Sequence, residues 1–415
     1  MKNYIHSLVI SAKDAAITMR ESGPLQRNEA LRIAALEIKN RASYILDENE
    51  KDFIQAKSQG CDQFILARLR LTKEKIDRIF DSIQAVVQLP EVIGVTDSKP
   101  QQNGITVGTM RVPIGVIAII YESRPNVTSE CASLCLKSAN AVILRGGKES
   151  INTNRAIHTC FQVALEKVSL PSGCVLFIDN TDYALVQSLL SMNQWIDLII
   201  PRGGKSLIEA VRKHSTIPRL DHLDGVCHIY LDETADESIA IRICKDAKMP
   251  HYAMCNSVET ILIHHSRVPD LAPKLVDEYQ KLGVEVRACP IISSHVSGTV
   301  PATEEDWHTE YLAPIISIKA VPTLTAAIAH IETFGSHHTD AIISKDQKSI
   351  QIFQKHVDSS SVMINTSTRL ADGFEYGLGA EIGISTAKLH ARGPVGLEGL
   401  TSKKFIVFSD GSVRN

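Results

Sequence analysis

Two short stretches of this 415-residue chain have nearly the same wording, Arg145-Gly146-Gly147-Lys148-Glu149 and Arg202-Gly203-Gly204-Lys205-Ser206. Each follows an apolar run that predicts a strand and leads into a predicted helix. Glycine lets a phosphate approach the backbone, a helix N-terminus offers unpaired N–H groups, and Arg or Lys adds positive charge. Arg145, Gly146, Gly147 and Lys148 in the first turn and Gly203, Gly204 and Ser206 in the second are therefore candidate cofactor-binding residues. Two anion sites in one fold suggest a dinucleotide. The same wording also describes a pair of solvated turns. Neither stretch is a Walker loop, because the upstream glycine is missing, which disfavours a P-loop kinase. Gly377-Leu378-Gly379 with Gly383 looks superficially like a dinucleotide fingerprint, but its last spacing is wrong and no clear strand leads in.

A third candidate is a thiol. Cys255 lies in Met249-Pro250-His251-Tyr252-Ala253-Met254-Cys255-Asn256-Ser257, a loop between a predicted helix and the strand at 259–264. A thiolate there can be both exposed and held by backbone dipoles, although burial as a structural cysteine is the more common fate. His251 could tune it, yet reads more simply as a surface histidine. Cys131 and Cys135, one helical turn apart on an apolar helix, belong to a core. The nine cysteines are odd in number and contain no CxxC pair, which fits reduced thiols better than a disulfide or zinc framework, and no metal is expected.

The elements that must position these groups follow from periodicity. Leu31, Ala35, Ile38, Ala42 and Ile45 place one apolar stripe on a helix face, and Ile76, Ile79, Phe80, Ile83 and Val87 repeat the pattern after Thr72, a helix cap. Residues 92–108 read as an extended hairpin broken at Lys99-Pro100 and Asn103-Gly104. Apolar runs at 112–121, 141–144, 174–178 and 198–200 alternate with helical stretches, which predicts a parallel sheet covered on both faces. Runs at 226–231, 259–264, 315–321, 341–344 and 362–364 predict a second one. The tail 403–414 reads as one more hairpin or edge strand, turning near Asp410-Gly411.

A chain this long needs two or more cores. Its hydrophobic fraction of 44% and charged fraction of 22% exclude disordered and coiled-coil classes. With 44 Lys plus Arg against 47 Asp plus Glu, the net charge of -3 gives no global field for nucleic acid or an acidic membrane surface, so anion selectivity must be local. The longest apolar run is too short to span a bilayer, and the first nineteen residues lack the basic start and apolar stretch of a secretory signal. The expected location is the cytoplasm.

At this point the chain resembles a known family. Val112-Pro113-Ile114-Gly115-Val116 followed by Tyr121-Glu122-Ser123-Arg124-Pro125-Asn126-Val127-Thr128 is similar to the start of the cofactor domain in the γ-glutamyl phosphate reductase (glutamate-5-semialdehyde dehydrogenase) family of the aldehyde dehydrogenase superfamily. Ala139 to Glu149 resembles its next strand and turn, and the Cys255-Asn256 loop its nucleophile segment. Most specific is the end: Asn365-Thr366-Ser367-Thr368-Arg369, Asp372-Gly373, Gly377-Leu378-Gly379-Ala380-Glu381-Ile382-Gly383-Ile384-Ser385-Thr386 and Leu389-His390-Ala391-Arg392-Gly393-Pro394. One departure is Ala253-Met254, where the family tends to have Gly-Val; the methionine changes a pocket wall and leaves the chemistry intact.

The resemblance implies an aldehyde dehydrogenase-like α/β fold, with two parallel-sheet α/β domains plus a small β oligomerisation arm. Residues 1–94 and 111–225 would form an NADP-binding domain and 226–365 the catalytic cysteine domain. Residues 95–110 and 403–415 would form the arm, and 366–402 a return segment completing the active-site cleft. The implied reaction is NADPH-dependent reduction of L-glutamyl 5-phosphate, in proline biosynthesis, through a thioester on Cys255. The Cys255 N–H and the Asn126 side chain would be the oxyanion donors. Glu310, in Glu310-Tyr311-Leu312-Ala313-Pro314, would hold the nicotinamide ribose. Cations at Arg145 and Lys148, where relatives place an acid, would favour NADPH over NADH. Arg369 and Arg392 are candidates for the substrate's anionic groups, and Asp372 and Glu381 for its ammonium.

Hydrolytic relatives carry a glutamate upstream of the cysteine; residues 219–225 read Arg219-Leu220-Asp221-His222-Leu223-Asp224-Gly225, with Asp221 a candidate stand-in. The resemblance further implies a homo-oligomer, dimer or tetramer, and glutamate 5-kinase as a partner. The competing readings are a non-phosphorylating, hydrolytic aldehyde dehydrogenase and a catalytically silent scaffold of the same fold.

Overall fold

In the computed structural model, residues 2–94 and 96–414 are described; Val95, where the expected arm begins, and Met1 and Asn415 lie outside the described residues. The N-terminal stretch folds into the helices Lys2–Glu21, Pro24–Asn40, Ala42–Ser58, Gln63–Leu69 and Lys73–Gln88. The apolar stripe anticipated from Leu31 to Ile45 is divided between two of them. Leu31, Ala35 and Ile38 are buried on one helix and Ile45 on the next, with Arg41 at φ −97° and ψ 17° leaving the helical region between them. Thr72 caps the last helix by accepting the Lys75 N–H, and Ile76, Ile79 and Ile83 turn inward.

The run at 112–121 is two strands, not one. β1 (Thr96–Pro100) and β2 (Thr106–Pro113) form an antiparallel hairpin, and the C-terminal strand Thr401–Phe408 pairs along β2 from Pro113 to Thr106. Pro113 has no N–H to continue a ladder. Gly115, at φ +134°, then turns the chain into β3 (Val116–Tyr121). A Cβ at Gly115 would lie 2.3 Å from Oδ2 of Asp197, which accepts the Val116 N–H at 2.8 Å. β3 continues into a parallel sheet with β4 (Ala141–Arg145), β5 (Val175–Phe177) and β6 (Leu198–Arg202), in the order β5-β4-β3-β6. The order reverses beside β3, so the crevice that doubly wound sheets offer to ligands lies off the ends of β3 and β6, where Glu122 and Gly203-Gly204 follow.

The chain divides into two compact units, 1–221 with 377–383 and 395–415, and 222–376 with 384–394. The first division falls at Asp221/His222, where the sequence suggested 225/226. The segment 366–402, anticipated as one piece, is shared. Ile382 and Gly383 exchange backbone hydrogen bonds with Val395 in the first unit, whereas Ile384–Ser385 pairs with Gly393–Pro394 in the second.

The second unit is built on seven parallel strands: β7 (Cys227–Leu231), β8 (Val258–His264), β9 (Glu285–Ala288), β10 (Val300–Pro301), β11 (Ile315–Val321), β12 (Thr339–Ile343) and β13 (Ser361–Ile364). Their order is β10-β9-β11-β8-β7-β12-β13. β9 and β10 leave no apolar run in the sequence, because β9 alternates charged with apolar residues and β10 is only two residues long. The central strands β7, β8 and β12 are buried along their whole length, as a parallel sheet covered on both faces requires. No helix among the described residues is long and apolar enough to cross a membrane.

Gly115→Ala forces a methyl group onto the Asp197 carboxylate in a conformation that alanine resists, and is expected to destabilise the protein by about 2 kcal/mol or more. A urea unfolding midpoint unchanged from wild type would contradict this reading of the β2–β3 corner.

Candidate active site

β8, β7 and β12 are neighbours in the sheet, so residues just before their starts converge although they are far apart in sequence. Cys255 sits in the turn before β8, half-buried, where the Ser257 N–H donates to the Met254 carbonyl at 2.9 Å and the Ser257 hydroxyl to the His251 carbonyl at 2.7 Å. Gly225 precedes β7. A Cβ there would lie 1.9 Å from the Cys255 carbonyl oxygen and 2.8 Å from its Cα, so no other residue fits beside this turn. The buried Cys227 thiol donates to the same carbonyl at 3.3 Å. His338 precedes β12 and His222 precedes Gly225; one ring nitrogen of each and the Cys255 Sγ all lie within 4.8 Å of one another. His222 Nδ1 lies 2.9 Å from the Ile384 carbonyl oxygen and His338 Nδ1 2.9 Å from the Thr339 hydroxyl. His251, the histidine closest in sequence, is exposed.

Burial selects among the nine thiols. Seven are buried, and only Cys61 and Cys255 reach the surface in part. Desolvation pushes Cys160 and Cys174 up to about 12 and Cys131, Cys135, Cys227 and Cys244 higher, so these keep their protons at neutral pH.

Asn256, next to the thiol, ties its turn to the segment after β13. Its Nδ2 donates to the carbonyls of Arg369 and Ala371 at 3.2 and 3.1 Å, and its Oδ1 accepts from the Arg369 guanidinium. Arg369 is thus brought beside the cysteine turn. Asp372 follows closely in the chain and accepts the Phe374 N–H at 2.8 Å. Arg392 is taken up elsewhere, donating to the Asp358 carboxylate at 2.7 Å, which also pairs with Lys388. Glu381 belongs to the other unit. Glu310 is half-buried, and its charge acts on a pair that sequence reasoning missed, Lys248 and Glu259, joined at 2.5 Å with both side chains fully buried. Desolvation pushes the Glu259 carboxyl up to about 8 against the opposing pull of Lys248.

In the first unit, the two glycine turns hold carboxylates of the chain itself. The helix after Lys148 was expected to offer unpaired N–H groups. Instead, buried Asp52 accepts those of Asn152 and Thr153 at 3.2 and 2.8 Å. The helix start packs against the helix Ala42–Ser58, and an internal anion from that helix satisfies its N–H groups. Gly146 and Gly147 are buried; a Cβ at Gly146 would meet Asn154 at 2.1 Å. Arg145 donates to the Gly146 and Thr181 carbonyls. Exposed Lys148 lines a groove of about 520 Å³ with Gln55, Gln59, Glu149, Arg155 and Thr181, and Arg155 is paired with Asp179. In the second turn, the Gly204 N–H donates to Glu122 at 2.9 Å, while Ser206 is exposed in the first turn of the next helix. Asn126 opens the helix Pro125–Lys137 and donates to Glu130 at 2.8 Å. Asp221 is ion-paired with Arg212 and Arg219 at 2.7 and 3.1 Å and 6% exposed, which removes it as a water-activating base.

Brief alkylation of the folded protein should label Cys61 and Cys255 and spare the seven buried thiols. In Gly225→Ala the Cys255 turn must move, and its labelling rate relative to Cys61 should change; an unaltered ratio would contradict the close approach.

Residues 2–295 match the aldehyde dehydrogenase family. The γ-glutamyl phosphate reductase of Thermotoga maritima is 38% identical, with 99% of this chain and 100% of that chain covered and a TM-score of 0.97. That of Saccharomyces cerevisiae is 29% identical over 99% of this chain and 98% of its own, with a TM-score of 0.55. A glyceraldehyde-3-phosphate dehydrogenase of Methanocaldococcus jannaschii, solved with NADP, is 14% identical over 99% of this chain and 95% of its own, at a TM-score of 0.71, and shares the fold. A thiol-bearing turn at the start of a central strand, two parallel sheets and a match of this extent lead to one conclusion: the chain belongs to the aldehyde dehydrogenase family.

Proposed function

We propose that this chain reduces L-glutamyl 5-phosphate with NADPH, giving glutamate 5-semialdehyde and phosphate, a step of proline biosynthesis. The observation that carries this reading is Cys255, a part-exposed thiol pinned by Gly225, in a chain 38% identical over 99% of its length to a γ-glutamyl phosphate reductase.

In this reading the Cys255 thiolate attacks the acyl carbon, the carbon–oxygen bond to phosphate breaks, and phosphate leaves with the electron pair. The thioester that remains splits one difficult reduction into two easier steps. NADPH, when bound, supplies the hydride. Cys255 is then the leaving group as the semialdehyde departs. The oxyanion at each stage needs fixed donors, and the Cys255 N–H is the first. Asn126 is the second; its Nδ2 carries two protons and spends one on Glu130. Arg369, held beside the thiol by Asn256, is the substrate's cationic contact, with Asp372 facing its ammonium. Arg392 and Glu381 are further contacts for the anionic groups and the ammonium, with Arg392 already paired to Asp358 in the free protein. Glu310 would hold the nicotinamide ribose.

The residues fit a phosphorylated adenosine at Lys148 rather than at the helix start, whose N–H groups Asp52 already uses. The groove beside Lys148 is large enough to admit a ribose phosphate, and Arg145, Gly146 and Gly147 are the strand-end turn that leads to Lys148, a further proposed cofactor contact. Gly203, Gly204 and Ser206 are the second contact, exposed at the sheet's switch point. A hydrolytic reaction finds no glutamate in residues 219–225, and Asp221, the stand-in for it, is held by two arginines. The arm supports a homo-oligomer, dimer or tetramer, formed by strand addition. The C-terminal strand is an edge of its three-stranded sheet and leaves Phe405 77% exposed, with Val407 and Phe408 also exposed. The kinase that makes the acyl phosphate, glutamate 5-kinase, is the natural partner of an enzyme that consumes so labile a compound, and the cytoplasm its natural location.

Run in reverse, NADP reduction by glutamate 5-semialdehyde should require inorganic phosphate and disappear in Cys255→Ser while NADP binding persists. A rate independent of phosphate would overturn the assignment. Lys148→Glu should weaken NADPH relative to NADH by roughly tenfold or more, the worth of one charge-assisted contact, and an unchanged preference would move the phosphate site elsewhere.

A further inference from the structure

The two histidines beside Cys255 have no role in the reaction just described, and with its sulfur they bring three metal-ligating atoms together. We propose that His222, Cys255 and His338 form a site for a zinc-class divalent ion, and that occupancy reversibly withdraws the thiol from reaction. The effect on turnover rests on Cys255 being the nucleophile; the binding itself does not.

Three observations carry the site. One nitrogen from each ring and the Cys255 Sγ already lie within 4.8 Å of one another. Tetrahedral zinc with bonds of about 2.0–2.3 Å brings such ligands to roughly 3.3–3.7 Å. A pair of ligands at that limit is about an ångström too far apart, a difference that side-chain rotation of the half-buried His222 and Cys255 can close. His338 is fully buried, and its Nε2 has no hydrogen-bond partner, a polar atom without the satisfaction that burial normally demands. Each ring is also oriented by its Nδ1. The Ile384 carbonyl requires a proton on Nδ1 of His222, which puts that ring's lone pair on Nε2, and the Thr339 hydroxyl engages Nδ1 of His338. Such outer contacts are how metal-binding histidines are usually fixed.

Thiolate and imidazole select zinc-class ions over magnesium or calcium, and three protein ligands leave a fourth position for water. On binding, the sulfur–metal bond replaces the sulfur–hydrogen bond, the proton passes to solvent, and nothing is oxidised or reduced. No CxxC pair announces the site, because its ligands come from the starts of three adjacent strands.

The test uses the full chain with zinc chloride alone. Competition against a chromophoric chelator should give one ion per chain, and cobalt substitution should give a thiolate-to-metal charge-transfer band. Zinc should protect Cys255 from alkylation while Cys61 still reacts, and a chelator should reverse the protection. His222→Gln should weaken binding by well over tenfold and Thr339→Val, which removes only the orienting hydroxyl, by roughly tenfold. Cys255 alkylated equally fast with and without zinc in the wild type would overturn the proposal, as would variants that bind as tightly as wild type. Phosphate-dependent turnover without zinc protection sinks the metal site alone; zinc protection without such turnover sinks the reductase reading alone.

Discussion

The carbonyl of Cys255 lies 1.9 Å from where a side chain on residue 225 would begin, and that approach is the constraint on which the site depends. It brings the start of β7 against the turn that opens β8, so the thiol is held by two adjacent strands of a buried sheet rather than by a loop alone. The Cys227 thiol and the Asn256 amide then fasten the turn from either side. A nucleophile placed by packed backbone needs little rearrangement to react, and this is how proximity becomes rate. Immediately past the thiol, β8 carries Glu259, which pairs at 2.5 Å with the fully buried Lys248. Removing one member of such a pair is far more costly than removing both, so the pair stiffens the strand on which the cysteine depends.

The first unit solves a different problem. A chain with a net charge of -3 must attract a polyanionic cofactor by local means. Its helix starts and glycine turns are not left open for that purpose. Asp52 and Glu122 occupy them from within, which leaves Lys148, at the rim of a groove, as the positive group an incoming phosphate meets. Selectivity then rests on a few exposed charges rather than on the helix dipole.

Much of this was legible in the sequence. Long apolar runs marked all four strands of the first sheet and five of the seven in the second, because a parallel sheet covered on both faces has no polar side to disguise it. The runs failed where that logic fails: β9 is short and half-polar, β10 is two residues long, and 112–121 hid a corner because Pro113 and Gly115 sit inside an apolar stretch. Cys255 and Arg369 could be named from their motifs. His222, Gly225 and His338 could not, since no periodicity links residues 222, 225, 255 and 338; only the order β8-β7-β12 does. The helix start at Ile151 misled for a related reason: Asp52, which fills it, is about a hundred residues away, and its helix gives no sign of the partner.

The account turns on an acyl group carried by Cys255. Enzyme mixed with glutamate 5-semialdehyde and NADP, quenched in acid without phosphate and digested, should yield the Cys255 peptide carrying a glutamyl adduct, which added phosphate discharges before the quench. An enzyme that turns over with phosphate yet never shows that adduct, or shows it on another residue, would contradict the account.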